Sequence, residues 1–231
     1  AMGGKAQMAN RRKTDIHRII TKKTKYMKKA KWMTLLMGLC ALMAMTSCLD
    51  DNDDKGLTNE QVKKAMQTMK GDYTGTLKWR ASTSNNYDSL NNVRWTVNDT
   101  AMIIHDFPVS SLAAGVVDGE INDSLRNAMK AAPAQELTCG ISFYNTKDFL
   151  TPYCVMNIMP YSVLIKDAEI NTRLYDLKVN FLNMNSNSMG YFNAEKKAME
   201  LYMRTYNLEA NNQTQKGNYT IVYYQLVSNN Q

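Results

Sequence analysis

The strongest constraint on this fold is a change of rhythm at Asp72. Before it, Val62, Ala65, Met66 and Met69 recur at helical spacing. After it, Tyr73, Gly75, Leu77 and Trp79 alternate with Thr74, Thr76, Lys78 and Arg80. A period of two sends successive side chains to opposite faces of a sheet, so it specifies half-buried strands. The pattern returns at Val93–Val97, Leu137–Phe143, Tyr175–Phe181 and Met199–Met203. Apolar runs at Ala101–Phe107, Tyr153–Met159 and Tyr161–Ile165 add shorter strands, the last two split by Pro160. Tyr219–Val227 is apolar at both parities, as in a strand covered on both sides. Polar turns such as Ser82–Asn86, Asn98–Asp99 and Asn183–Asn187 separate the runs. Eight or nine strands in one open sheet tend to close or split. The expected fold is mainly β, an antiparallel barrel or sandwich of about eight strands.

Two helical segments interrupt that pattern. Thr58-Asn59-Glu60-Gln61 fits a capping box at the start of an amphipathic helix, and Gly71 stands where a C-cap is expected. Between Val109 and Pro133 a helical insertion is expected. Ser110–Gly115 reads as a single turn, and Ile121, Leu125, Ala128, Met129 and Ala132 form a stripe that Pro133 ends.

The segment ahead of the first helix determines the address. Lys28, Lys29 and Lys31 precede an apolar run from Trp32 to Met45. That run is shorter than the roughly 20 residues a spanning helix needs. A basic head, a short apolar middle and small residues before a cut site make a secretory signal. Met45-Thr46-Ser47-Cys48 resembles the lipobox of bacterial lipoproteins, with Met45 where Leu is usual, a relaxation typical of the Bacteroidetes. The resemblance implies acylation of the Cys48 thiol and cleavage just before it. Asp50, Asp51, Asp53 and Asp54 then resemble the acidic signal that sends such lipoproteins to the outer surface; a plain solvated tether is the alternative. The chain thus divides into an upstream extension (1–26), a signal peptide (27–47), an acidic tether (48–57) and one β-rich domain (58–231). The expected location is the outer membrane, facing outward, with the membrane engaged through covalent lipid.

The net charge of +7 changes sign on processing. Residues 1–47 hold 11 of the 28 Lys+Arg and one of the 21 Asp+Glu, so 17 basic and 20 acidic residues remain, a net charge of −3. Nucleic-acid binding needs a retained basic face, and this removes the electrostatic case for it. Cys139 and Cys154 also remain; a disulfide or two buried free thiols fit equally well.

Tyr73-Thr74-Gly75-Thr76-Leu77 after a helix resembles the opening strand of calycin-like lipoproteins. Trp95-Thr96-Val97-Asn98-Asp99 through Asp106-Phe107-Pro108-Val109 resembles a Bacteroidetes lipoprotein domain of unknown function, of the DUF4840 type. The first resemblance implies a small barrel with a cup for an apolar ligand; the second implies no activity. The insertion at 109–133 departs from a simple lipocalin meander.

No catalytic or metal constellation emerges. His105 is the one histidine after the signal, so histidine-rich zinc motifs cannot form. A Cys139 nucleophile beside His105 is disfavoured, since both lie in strand-like runs. Asp51 onward fails the calcium-loop spacing, because Val62 stands where a glutamate is needed. Trp79 and Trp95 are candidate ligand-facing aromatics, with burial in the core as the alternative. Asp88-Ser89-Leu90, Asp99-Thr100-Ala101 and Asp123-Ser124-Leu125 resemble O-glycosylation acceptors of exported Bacteroidetes proteins, at Ser89, Thr100 and Ser124; turn chemistry explains them equally. The expected function is a non-enzymatic, lipid-anchored protein with no cofactor. It would bind a small molecule, a glycan or a protein. The alternatives are assembly by strand addition through Tyr219–Val227 and a carboxylate-based hydrolase.

Overall fold

A computed structural model describes residues 57–144, 153–183, 188–215 and 217–229. The expected signal peptide, Cys48 and the acidic run at 50–54 lie outside the described residues.

Helix α1 (Asn59–Met69) starts on the expected capping box: Gln61 N–H donates to the Thr58 hydroxyl, and Thr58 N–H donates to the Gln61 side chain. Ala65, Met66 and Met69 are its buried stripe. The C-cap is Lys70 in extended conformation, one residue ahead of expectation. Gly71, at φ +154°, already opens the first strand.

Strands β1 (Gly71–Ala81), β2 (Asp88–Val97), β3 (Ala101–Phe107), β4 (Gln135–Phe143) and β5 (Tyr153–Pro160) run as an antiparallel meander. β6 (Val163–Ile170) and β7 (Arg173–Phe181) pair with each other as a hairpin. β5 then pairs with β8 (Met189–Asn193), β8 with β9 (Ala198–Ala210), β9 with β11 (Val222–Ser228), and β11 with β1. That circuit closes an eight-stranded antiparallel barrel.

β9 is the strand that organises the rest. Its first half, through Arg204, belongs to the barrel. From Thr205 to Ala210 it pairs with β7, and its end pairs with the two-residue β10 (Gln213–Thr214). One 13-residue strand therefore serves two sheets. Two hydroxyls complete its ladder to β11: Val222 N–H donates to Thr205 Oγ1 (2.8 Å), and Met199 N–H donates to Ser228 Oγ (2.7 Å). Thr205 and Ser228 are buried for that reason.

The insertion between β3 and β4 comprises a 3₁₀ helix, η1 (Val109–Gly115), and α2 (Glu120–Ala131). Arg126 holds it together by pairing with Asp118 (2.8 Å) and Asp123 (2.6 Å) and donating to the Val116 carbonyl. Leu125 and Met129 are buried where α2 packs against η1 and β6.

The barrel interior is occupied by side chains. Trp95, Tyr224, Phe192, Met102, Met156 and Leu77 are each at most 2% exposed. Tyr73 stacks on Trp95 at 5.6 Å, and Phe107, Phe181 and Tyr224 pack mutually at 5.5–6.3 Å. Gly75 is required by close approach, because a Cβ there would lie 2.0 Å from the Val227 carbonyl oxygen. The cup implied by a calycin-like barrel is thus filled with packed side chains.

Candidate functional site

With the interior filled, chemistry must be sought on the outer wall. Three cross-strand rows define one face. Arg80, Tyr223 and Arg204 are direct neighbours across β1, β11 and β9. Two residues along, Lys78, Gln225, Tyr202 and Met189 form the second row, across β1, β11, β9 and β8. Val227, Glu200 and Tyr191 follow in the third. Inward and outward residues alternate along each strand, so the inner partners of these rows are core residues such as Leu201, Met203 and Leu226.

These rows floor a groove of about 430 Å³. At one end the Arg80 guanidinium lies between two rings, 5.3 Å from the centre of Tyr87 and 5.0 Å from that of Tyr223. Each cation–π contact is worth about 0.5–1 kcal/mol at an exposed site. Arg80 also donates to the Ser84 carbonyl (2.8 Å), which fixes the β1–β2 turn that carries Tyr87. At the other end Tyr191 and Tyr202 meet edge to face at 6.4 Å. The Tyr202 hydroxyl donates to Glu200, whose carboxylate also accepts from Gln225 Nε2 (2.7 Å). The bond to Glu200 raises the Tyr202 pKa, which keeps the phenol neutral. Arg204 lines the groove, and its Nε is buried without a hydrogen-bond partner among the described residues. Neither arginine forms an ion pair with a described carboxylate.

The residues expected from sequence lie elsewhere. Trp79 and Trp95 both face inward. Trp95 is wholly buried, and Trp79 is half-buried against the core in register with Tyr224. The core alternative therefore holds for both rings. Cys139 and Cys154 are free buried thiols. Cys139 pairs with Pro160, six residues along β5 from Cys154. At the usual rise per residue that is about 20 Å, far beyond disulfide reach. Burial pushes the Cys154 thiol up to about 11 and Cys139 higher still, so both are poor nucleophiles.

His105 lies on the outer face of β3, opposite in orientation to Cys139, which excludes their pairing. Its Nε2 lies 2.9 Å from the Thr96 hydroxyl and its Nδ1 3.2 Å from Glu136. The chain of groups looks like a nucleophile, base and acid in sequence. Thr96 Oγ1, however, donates to Asp72 (2.6 Å), so its proton is directed away from the imidazole. The four residues form a polar strip across β1 to β4.

Of the three candidate glycosylation positions, Ser89 lies within β2 and Ser124 within α2, where its hydroxyl accepts from Asn171 N–H. Thr100 alone lies in a tight turn, bonded to Asn98. Strand addition through β11 lacks an edge, because β11 is paired on both sides. A second groove, beside α1, has one carboxylate, Asp99, already paired with Lys70 at 2.9 Å.

The tyrosine-arginine face escaped sequence reasoning because its members are scattered over β1, β8, β9, β11 and the β1–β2 turn. Tyr202 and Arg204 did show at the polar parity of their strand. Tyr223 was hidden within a continuous apolar run. Comparison with curated proteins and with solved structures returns no match. A family model does match, over residues 68–210. By that match, which takes in most of the barrel, the chain belongs to the family described as Domain of unknown function (DUF4840).

Proposed function

We propose that this barrel is a non-enzymatic binding protein, tethered to the outer membrane by lipid on Cys48 and facing the cell exterior, and that it binds its ligand on the outer groove. The observation that carries the binding role is the groove itself: four tyrosines and two arginines converge on one wall of a barrel whose interior is filled. Aromatic faces on a rigid sheet give contact area at low entropic cost. Among the described residues the groove lining contains no carboxylate, and Glu200 beside it already accepts two hydrogen bonds. That favours binding over carboxylate-based hydrolysis, which needs a free acid and its partner.

The anchoring part rests on the sequence between Lys28 and Asp54. Ten residues lie between Cys48 and Asn59, a short tether between the proposed lipid and the barrel domain. The binding role is tested by a panel of surface polysaccharides, peptides and small apolar molecules. The full chain is compared with Tyr202→Ala/Tyr223→Ala. The account expects at least a tenfold loss for whichever ligand binds. Undiminished binding by the double variant would place recognition elsewhere.

A further inference from the structure

We infer that the ligand of this groove is an acidic glycan, a uronate-bearing oligosaccharide. This rests on the reading of the outer groove as the binding face. Tyr87, Tyr202 and Tyr223 present partly exposed rings along one wall. Such rings are flat partners for the C–H faces of pyranose sugars. The polar groups between them decide which sugar. Arg80 and Arg204 flank Tyr223 in one cross-strand row, about 10 Å apart at the backbone by ordinary strand spacing. Lys78 adds a third positive charge in the next row.

Nothing described in the protein neutralises the two guanidiniums. Arg80 spends itself on two rings and backbone carbonyls, and Arg204 keeps a buried Nε unbonded. A buried donor without a partner is destabilising, and an anionic ligand would satisfy it. Guanidinium binds carboxylate in two parallel hydrogen bonds, a geometry that a neutral hydroxyl does not match. Glu200, beside the groove, accepts from Tyr202 and Gln225, and its single negative charge is outweighed by Arg80, Arg204 and Lys78. The face therefore offers stacking for a sugar ring and two cations for its acid group. An apolar ligand would leave both guanidiniums unmet. An acidic peptide would satisfy the guanidiniums but lacks the flat C–H face that a pyranose lays on the rings.

The test is calorimetric titration of the detergent-solubilised full chain with an oligogalacturonate, a neutral oligosaccharide of equal length, and poly-glutamate. The inference expects the oligogalacturonate to bind at least tenfold more tightly than either. Arg204→Gln should remove most of that margin, and added salt should narrow it. Tyr223→Ala should weaken the uronate and the neutral sugar alike. Thermal melts verify that both variants fold; an unfolded Arg204→Gln is replaced by Arg204→Lys, which keeps charge but loses the planar fork, and an unfolded Tyr223→Ala by Tyr223→Leu. Equal binding of neutral and acidic sugars overturns the inference while leaving the groove as the site. Poly-glutamate binding as tightly as the uronate overturns it too. Binding of neither sugar overturns the inference, while the groove reading stands or falls with the Tyr202→Ala/Tyr223→Ala comparison.

Discussion

Thr205 shows how much one hydroxyl can carry. At Thr205 the β9 strand stops pairing with β11 and begins pairing with β7. The switch would orphan the Val222 N–H, and Thr205 Oγ1 accepts it at 2.8 Å inside the core. Thr205→Val keeps the shape and removes the acceptor, so unfolding should become easier by about 1–3 kcal/mol in a denaturant titration. An unchanged midpoint would show that the hydroxyl is dispensable. Buried acids at single positions also fix a pH window. Burial raises Cys154 from 9.0 to about 11 and Tyr73 from 10.0 to about 12. The unfolded chain therefore loses these protons first, and deprotonation pulls the equilibrium toward unfolding. The melting temperature should be flat to about pH 8 and then fall between pH 9 and 12. A curve flat to pH 12 would contradict the burial of these groups. Residue identity was the least legible scale in the sequence. Trp79 and Trp95 stand at inward parity on their strands, and parity decides their burial more than aromatic character does.

At the scale of elements the sequence was far more legible. The capping box of α1, the helical insertion and most strands follow from local period alone, because pairing on one buried face imposes alternation. The misses share a physical cause. The first five residues of β2, Asp88–Asn92, are exposed and carry little alternation, so nothing local marks them as paired. β8 is five residues long and follows an Asn/Ser-rich stretch, which makes it resemble part of the loop. The β6–β7 hairpin shows its strands in sequence, but its departure from the barrel depends on the length of β9 and on packing beneath α2. Those are long-range facts that no window of ten residues contains. The outer groove is of the same kind, assembled from four strands and a turn by register alone.

At the scale of the whole molecule, closure of the barrel limits where a ligand or partner can dock. Pairing of β11 with both β1 and β9 removes the free edge that strand addition would need at that strand, and packed side chains occupy the interior. What remains is an outer wall, which the proposed lipid on Cys48 would hold near a membrane. If Cys48 carries the anchor, labelled palmitate should enter the native chain. Cys48→Ala should abolish the label and release the protein from the membrane fraction. Retained fractionation in that variant would refute the tether. The most direct test of where this barrel does its work is a crystal structure of the full chain with an oligogalacturonate. Sugar density is expected across Tyr223, with its carboxylate between Arg80 and Arg204. Density inside the barrel, or on any other face, would contradict it.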